Sequence, residues 1–384
     1  MTKIFDQFVR NQPLHVTAIA SYPIYPAKMG GQKGIALFYG AFSKLVPVTL
    51  VSTKTNTEPE NLNAEFIKLL SGSKWRYVNP LLFFKVRKIL KARKSTHLVL
   101  EHPYYGWLGI LLKWFTRIQL VVHSHNIESR RFKTMGKWWW RIMYVYEKTI
   151  HRAADMSFFI SDEDKNFAID HFRLTAKKAV TITYGFDLAQ PPSKAEKEAC
   201  KNQICEQHGL NPNHSILLFN GTLDYQPNLD ALMLILKKIN PLLLKKEFPY
   251  TIIICGKNLP EYLNQLSAYQ SQNIIYAGFV NDISLYFKAA DVFINPVTDG
   301  GGIKTKLVEA LGYNVSSVST KSGAIGVPAN ITNGKLQIIE DEDISGFCDK
   351  IMESLQHPLE ITGSFYEHFQ WDNIAMRAKE AIMH

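Results

Sequence analysis

A glycine run at residues 300–302 stands directly before two lysines, Lys304 and Lys306, and a carboxylate, Glu309. The run follows a strand-like segment and opens a helical pattern. Glycine lets backbone N–H groups approach an anion, and the first turn of a helix adds unpaired donors and a partial positive charge. The lysines add full charges, and the glutamate can accept hydrogen bonds from sugar hydroxyls. The pattern predicts a phosphate site; the plain alternative is a flexible turn with solvated lysines.

Two histidines and a glutamate form a second candidate group. His123 and His125 lie at the end of the strand-like segment 118–124, where ligands bind in open α/β sheets. A neutral imidazole there can hydrogen-bond a sugar hydroxyl or a developing charge, and Glu128 could orient an acceptor. The alternative for each histidine is a structural role. We take His123 and His125, together with Glu309, as the catalytic candidates.

Gly30 and Gly31 follow the first strand-like segment and precede a helix predicted to start near Ile35. The same helix argument makes them candidates for phosphate contact, with a tight turn as the alternative. The acidic segments 161–165 and 340–344 contain Asp-x-Asp-like carboxylates, which could bind a metal and a diphosphate. Both segments fit helix caps better, since Ser161 followed by acidic residues in the first turn is a capping pattern, and we favour this interpretation. With no Cys-x-x-Cys pair either, we expect no metal site.

Short apolar segments alternate with helix-length segments along the whole chain. Continuous apolar strands separated by helices are typical of parallel sheets covered on both faces, so we predict an α/β fold with two doubly wound, Rossmann-like domains. The predicted strands lie at 15–21, 46–52, 97–101, 118–124, 156–161, 179–184, 215–221, 250–256, 273–278, 290–296 and 314–320.

The length of 384 residues suits two domains. A Pro-Pro pair at 191–192 places the boundary near 190, and an amphipathic helix closes the chain. The predicted domains are 1–190 and 191–365, followed by a final segment, 366–384. The start lacks the apolar core of a secretory signal and no run reaches about 18 apolar residues, so we expect a cytoplasmic protein.

The net charge of +10 indicates an anionic partner. No signature of an RNA- or DNA-binding module is present, so we expect no nucleic acid. The segments 79–94 and 130–152 combine basic and aromatic residues, which suits the headgroup region of an anionic bilayer. The alternative is helices packed in a core with solvated lysines. We therefore expect an anionic membrane surface as a partner, met peripherally on the inner face of the membrane.

The chain resembles the retaining glycosyltransferases of the GT-B fold, in particular glycosyltransferase family 4. In the second half, four segments carry this resemblance in the order and at the spacing of the family: 219–232, 252–258, 273–296 and 300–327. The first half matches more loosely through 30–45, 121–129, 147–164 and 182–187. The closing helix resembles the one that crosses back onto the N-terminal domain in this fold.

The resemblance implies a nucleoside diphosphate sugar held by the C-terminal domain, an acceptor held by the N-terminal domain, and transfer with retention in the cleft that the two domains face. It implies no obligatory metal. Glu309 is expected at the ribose, Lys306 near the diphosphate or sugar, and Phe279 and Val280 at the base. The expected donor-binding residues are Gly30, Gly31, Gly221, Thr222, Lys257, Phe279, Val280, Gly300, Gly301, Gly302, Ile303, Lys304, Lys306 and Glu309.

Two departures from the family pattern stand out. Gly301 lies eight residues before Glu309, where the family often has a second glutamate. The basic pair that often follows the first donor-domain loop is absent, and Lys257 or Lys304 would replace its charge.

The resemblance as a whole implies a hexosyltransferase that acts on a glycan or lipid-linked acceptor in cell-surface polysaccharide or glycolipid synthesis. The alternatives are a sugar-nucleotide epimerase, a phosphorolytic enzyme, or a non-catalytic partner that binds nucleotide or membrane.

Overall fold

The computed structural model describes residues 13–27, 30–59 and 62–383. The chain divides into two compact units. The first unit contains Met1–Gly185 and Trp371–His384, and the second contains Phe186–Gln370. Within the described residues, no helix is long and apolar enough to cross a membrane.

The first unit is built on one sheet of seven parallel strands in the order β3-β2-β1-β4-β5-β6-β7. The strands are β1 (Val16–Ala20), β2 (Val48–Thr53), β3 (Glu65–Leu70), β4 (His97–Glu101), β5 (Gln119–Ser124), β6 (Met156–Phe159) and β7 (Ala179–Thr181). Strand order reverses between β1 and β4, which pair directly. In doubly wound sheets, ligands bind at the carboxyl edge beside such a reversal.

The helices of the first unit connect these strands. They are α1 (Gly30–Phe42), α2 (Leu81–Ala92), α3 (Gly106–Thr116), α4 (Glu128–Thr134), α5 (Trp140–Ala153) and α6 (Asp162–Phe172). β2 is buried along its full length, as expected for a strand covered by helices on both faces. The helix predicted to start near Ile35 begins at Gly30 instead, so that both glycines lie in its first turn.

The second unit holds a six-stranded parallel sheet in the order β10-β9-β8-β11-β12-β13. Its strands are β8 (Ser215–Asn220), β9 (Tyr250–Cys255), β10 (Ile274–Gly278), β11 (Val292–Asn295), β12 (Ser316–Thr320) and β13 (Leu336–Ile339). Its helices are α7 (Lys194–His208), α8 (Gln226–Leu234), α9 (Asn240–Leu244), α10 (Ile283–Ala289), α11 (Thr305–Gly312), α12 (Ile344–Gln356) and α13 (Gly363–Phe369). Here strand order reverses between β8 and β11.

The last helix of the chain, α14 (Trp371–Met383), belongs to the first unit and packs against α1. Nε2 of His97 lies 3.1 Å from the backbone oxygen of Ile382 in this helix. This helix is the amphipathic helix predicted to close the chain, and its buried residues include Trp371, Ile374, Ala378 and Ile382. The return of the last helix to the N-terminal part of the chain is therefore confirmed.

The predicted fold class, α/β with two doubly wound parallel sheets, is confirmed. All eleven predicted strands are present, but the sequence reading missed β3 and β13, one of the two edge strands of each sheet. Most of β3 is exposed or half-exposed, and β13 has only four residues. Both strands therefore lack the continuous buried apolar run by which the central strands were found.

Candidate functional site

The carboxyl edge of the second sheet brings together the predicted phosphate residues. Gly221 and Thr222 directly follow β8, and the loop 296–304 joins β11 to α11. These two loops start from the neighbouring strands at which strand order reverses. Doubly wound sheets bind ligands at such a point, where two adjacent loops diverge.

Lys306 is held at this edge by neutral oxygen atoms. Its Nζ donates to the backbone oxygen of Asn220 and to Oδ1 of Asn228, each at 3.1 Å, and it lies 4.6 Å from the ring centre of Phe219. Burial, and secondly the charge of Lys304, lower the pKa of Lys306 to about 7. A bound anion would stabilise the protonated ammonium, because an opposite charge favours the charged form.

The glycine loop curls around the ammonium group of Lys304. Its Nζ donates to the backbone oxygens of Gly300 at 2.6 Å and Gly302 at 3.2 Å. These two glycines have φ angles of +97° and +69°, in the left-handed region that favours glycine. Gly301, between them, is exposed. The run of glycines therefore has a backbone reason, the tight path around Lys304, besides any contact with a ligand.

Asn228 is a residue of this site that the sequence reading missed. Its Nδ2 donates to the backbone oxygen of Thr222 at 3.0 Å, while its Oδ1 accepts from Lys306. A Cβ at position 221 would lie 2.7 Å from that Nδ2, so Gly221 makes room for the amide. No sequence signal marked Asn228, since it lies in the first turns of α8 and its partners come from other segments.

The remaining predicted residues of the second unit lie at the same edge. Lys257 follows β9, and its backbone oxygen accepts the N–H of Leu223 at 2.9 Å. Phe279 and Val280 follow β10, and Phe279 is 70% exposed. Ile303 packs against the hydrophobic core, and Glu309 lies half-buried in α11, one turn after Lys306. The sheet thus gathers the predicted donor residues of this unit along one edge.

In the first unit, His123 and His125 both hydrogen-bond one buried carboxylate, Glu101. Nδ1 of His123 lies 3.2 Å from Oε1, and Nε2 of His125 lies 2.6 Å from Oε2. The hydroxyl of Tyr39 donates to Oε1 at 2.6 Å. Burial raises the pKa of Glu101, but the charge and hydrogen bond of His123 and the hydrogen bond of His125 outweigh it and hold that pKa well below its ordinary value. Glu101 is therefore ionised and accepts from all three side chains.

Burial lowers the pKa of His125 to about 4, against the opposing hydrogen bond to Glu101. A neutral imidazole at pH 7 suits the predicted role of a hydrogen-bond partner. His123 is only 3% exposed, and its Nε2 is buried with no hydrogen-bond partner among the described residues. The structure thus places both candidates in one network, in which each has one nitrogen committed to Glu101.

Glu128 belongs to a second buried ion-pair group beside the first. Its carboxylate lies 3.2 Å from Nδ1 of His102 and 3.1 Å from Nη1 of Arg131. Burial raises the pKa of Glu128, but the hydrogen bond and charge of His102 and the charge of Arg131 give a net lowering. His102 has a φ of +68°, an uncommon conformation for a residue with a side chain. Glu128 is fully buried, and the contacts of its carboxylate are within the first unit.

Glu147 holds the start of α4, where Glu128 lies. Its two carboxylate oxygens accept the N–H groups of Glu128 at 2.7 Å and of Ser129 at 2.8 Å. Burial raises the pKa of Glu147 to about 7, although these hydrogen bonds oppose the shift. The sequence reading missed Glu101, His102 and Glu147. Glu101 ends β4, next to β5, and His102 directly follows it, so the strand-end argument used for His123 could have found them.

Gly31 lies near this group, because a Cβ at that position would be 3.2 Å from the hydroxyl of Tyr22. That hydroxyl lies 3.2 Å from Nε2 of His102, across the reversal between β1 and β4. Gly30 is the first residue of α1. The start of α1 and the histidine network therefore share the carboxyl edge of the first sheet.

Two acidic segments act as helix caps. Ser161 Oγ accepts the N–H of Asp164 at the start of α6, and Asp343 Oδ1 accepts the N–H of Gly346 at the start of α12. The capping interpretation of both segments is confirmed.

Among the described residues, Glu101, His123 and His125 offer ligand atoms within 4.8 Å of one another. Their mutual hydrogen bonds account for this closeness, so it gives no separate reason to place a metal there.

Both halves of the chain match models of known protein families. The model described as Glycosyltransferase Family 4 matches residues 30–190, and the model described as Glycosyl transferases group 1 matches residues 214–357. The O-antigen biosynthesis glycosyltransferase WbnH of Escherichia coli is 21% identical over 314 residues, covering 80% of this chain and 82% of the relative. Chitobiosyldiphosphodolichol beta-mannosyltransferase of Debaryomyces hansenii is 24% identical over 331 residues, covering 78% of this chain and 67% of the relative.

Solved structures resemble the whole chain at lower identity. HepE of Anabaena in complex with UDP has a TM-score of 0.71 at 15% identity, covering 96% of this chain and 99% of that chain. Sucrose-phosphate synthase of Thermosynechococcus elongatus has a TM-score of 0.71 at 14% identity, covering 96% of this chain and 98% of that chain. At these identities the likeness shows a shared fold.

Proposed function

Because this chain belongs to the group 1 glycosyltransferases of the GT-B fold, we propose that it transfers a hexose from a nucleoside diphosphate sugar to a glycan or lipid-linked acceptor. We further propose that the transfer retains the anomeric configuration. The sequence relatives named for O-antigen synthesis and for mannosyl transfer support a role in glycan synthesis. The UDP complex of a structural neighbour supports a nucleotide-sugar donor.

The observation that carries the proposal is the pair of ammonium groups at the carboxyl edge of the second sheet. Nζ of Lys304 donates to the backbone oxygens of Gly300 and Gly302, and Nζ of Lys306 donates to the backbone oxygen of Asn220 and to Oδ1 of Asn228. Both ammonium groups therefore lie at the loops where a diphosphate would bind. Each charge-assisted hydrogen bond to the diphosphate would contribute about 1.5–3 kcal/mol. In the proposed complex, Glu309 binds the ribose hydroxyls and Phe279 and Val280 lie beside the base.

The proposed mechanism is electrostatic. As the bond from the sugar to the diphosphate breaks, negative charge grows on the leaving phosphate, and preorganised ammonium groups stabilise it without reorganisation. The acceptor oxygen forms its bond to the anomeric carbon on the face from which the diphosphate leaves, and an oxygen of the leaving phosphate takes the proton of the acceptor hydroxyl. Bond formation on that same face gives retention. His125 and His123 would serve the sugar as hydrogen-bond partners, and Glu101 would orient their rings.

We propose that no metal ion is required, since the two lysines would supply the positive charge. Transfer or donor hydrolysis should then be unchanged by a chelator. A rate that falls in EDTA and returns with a divalent cation would contradict this part of the proposal.

Exposed apolar side chains on the first unit support contact with an anionic membrane surface. Ile142 in α5 is 64% exposed, and Trp138, in the turn before this helix, is 82% exposed. Arg141 and Lys148 lie in the same helix as Ile142. Basic helices with exposed aromatic and aliphatic residues bind the interface of anionic bilayers. The proposal is therefore a cytoplasmic enzyme bound peripherally to the inner face of the membrane.

The donor part of the proposal is tested by thermal unfolding with UDP and with GDP. At a hundredfold excess over Kd, a nucleotide stabilises the fold by about 2.7 kcal/mol, which raises Tm by a few degrees. If neither nucleotide raises Tm, the proposal fails. Hydrolysis of a panel of UDP- and GDP-sugars then identifies the sugar, and tight binding without hydrolysis or transfer would favour a non-catalytic partner.

A further inference from the structure

A separate pocket of about 430 Å³ lies in the first unit and takes no part in the groups described above. It is formed by the loops that follow β2 and β3, by the 3₁₀ turn Lys74–Val78 and by the start of α2. Because β2 and β3 are parallel neighbours, these loops leave the sheet at its carboxyl edge. Pockets of this volume are the size that small ligands use.

Among the residues that the structure describes, three cationic side chains line the pocket and no carboxylate does. Arg76 donates to the backbone oxygens of Ser21, at 2.9 Å, and Gly72, at 2.9 Å, which hold it in place but carry no formal negative charge. In the part of the chain that the structure describes, the ammonium groups of Lys54 and Lys85 have no ion pair. The pocket therefore has an uncompensated positive charge, which favours an anionic ligand.

The wall and rim of the pocket are apolar. Trp75 and Val78 line it and are 77% and 63% exposed. Along α2 the apolar surface continues through Leu81 and Phe84, which are 59% and 65% exposed. Large exposed apolar side chains grouped in this way mark a binding surface rather than a solvated face. The positive pocket thus opens onto a surface that suits a hydrocarbon chain.

We propose that this pocket binds a phosphate group of the acceptor substrate, with Lys54, Arg76 and Lys85 around the phosphate and the apolar rim along a lipid chain attached to it. This inference rests on the proposed function and adds the chemical class of its acceptor, a lipid phosphate. An anionic head next to an apolar chain matches the two parts of the site. A phosphate on a water-soluble sugar offers the same charge, but it leaves Trp75, Val78 and Phe84 exposed.

The inference is tested by calorimetric titration of the full chain, saturated with whichever of UDP and GDP binds, against farnesyl diphosphate, glucose 1-phosphate and farnesol. The pocket variant is K54A/K85A, in which two exposed lysines are removed and Arg76, which holds the loops, is kept. The matched control is K88A/K91A, with the same change of charge at exposed positions of α2 outside the pocket lining. Equal Tm values establish that both variants fold.

We expect farnesyl diphosphate to bind at least about tenfold more tightly than glucose 1-phosphate, and farnesol to bind more weakly than farnesyl diphosphate. K54A/K85A should lower the affinity for farnesyl diphosphate by about tenfold or more, because two charge-assisted contacts are lost. K88A/K91A should leave this affinity unchanged. Trp75→Ala should lower the affinity for farnesyl diphosphate and leave the affinity for glucose 1-phosphate unchanged. Equal affinity of the two phosphates, both reduced in K54A/K85A, would support a phosphate site for a water-soluble acceptor.

Equal affinity of every probe for K54A/K85A and the wild-type chain would overturn the inference, as would no binding of either phosphate. Donor hydrolysis in the same preparations separates this failure from that of the proposed function. If the donor sugars are hydrolysed but the affinities of the phosphate probes do not depend on Lys54 and Lys85, only the acceptor assignment is wrong. If no nucleotide binds, the proposed transfer fails whatever the pocket does.

Discussion

The lowered pKa of Lys306 predicts that the affinity for nucleotide depends on pH. In the empty site the ammonium is buried among neutral oxygens, with a pKa of about 7. A diphosphate beside it would favour the charged form and raise that pKa. Binding therefore takes up protons near pH 7, and the affinity is full at low pH and falls as the pH rises through the pKa of the empty site.

The size of the effect follows from the pKa of about 7. For a ligand that binds only the protonated lysine, the observed affinity equals the affinity at low pH divided by the factor 1 + 10^(pH − pKa). This factor is about 2 at pH 7, about 11 at pH 8 and about 100 at pH 9. From pH 7 to 9 the affinity should thus fall about 50-fold, or about 2.3 kcal/mol. A terminal phosphate with a pKa of about 6 changes its own charge little in this range.

The assay is isothermal titration of UDP or GDP at several pH values in buffers that differ in ionisation enthalpy, which also gives the protons taken up. About half a proton per nucleotide is expected at pH 7. Lys306→Arg is the matched variant, because a guanidinium stays protonated throughout and should flatten the profile. An affinity that is constant from pH 7 to 9 in the wild-type chain, with no proton uptake, would refute the assignment of Lys306 to the diphosphate.

Three further variants test other parts of the site. Gly221→Ala should push aside the amide of Asn228 that holds Lys306 and weaken nucleotide binding by about 1–2 kcal/mol, measured by the same titration. Glu309→Ala should weaken the donor about 10- to 100-fold with an unchanged Tm, and an unchanged donor affinity would remove the ribose assignment. Glu101→Gln should lower the free energy of unfolding by about 2 kcal/mol or more in urea titrations, because a buried acceptor of three hydrogen bonds is weakened; an unchanged unfolding curve would contradict this.

The sequence pattern predicted features that depend on residues close together in the chain. Continuous apolar segments between helical segments predicted two doubly wound sheets. Only the edge strands β3 and β13 were not predicted. The glycine run before Lys304 and Lys306 predicted a loop between a strand and a helix. Capping at Ser161 and within the segment 340–344 was predicted because a cap and its N–H partner lie within three residues.

Contacts between distant segments could not be predicted in this way. Asn228 holds Lys306 from 78 positions away, and Glu101 accepts from His123 across 22 positions. The pocket of Lys54 and Arg76 is formed by loops that become neighbours only because β2 and β3 pair. The sequence separation of such pairs does not follow the repeat of a helix or a strand, so the sequence pattern does not indicate that they are in contact.

The sequence by itself therefore determined the fold class, the family resemblance and the residue types able to bind a diphosphate, since these follow from local periodicity and from motif order. The tertiary structure decided which neutral oxygens surround Lys306, which carboxylate orients His123 and His125, and where an uncompensated positive pocket lies. The physical reason is that burial and the order of strands in the sheet set the charge state and the partners of these side chains, and both arise only when distant segments pack.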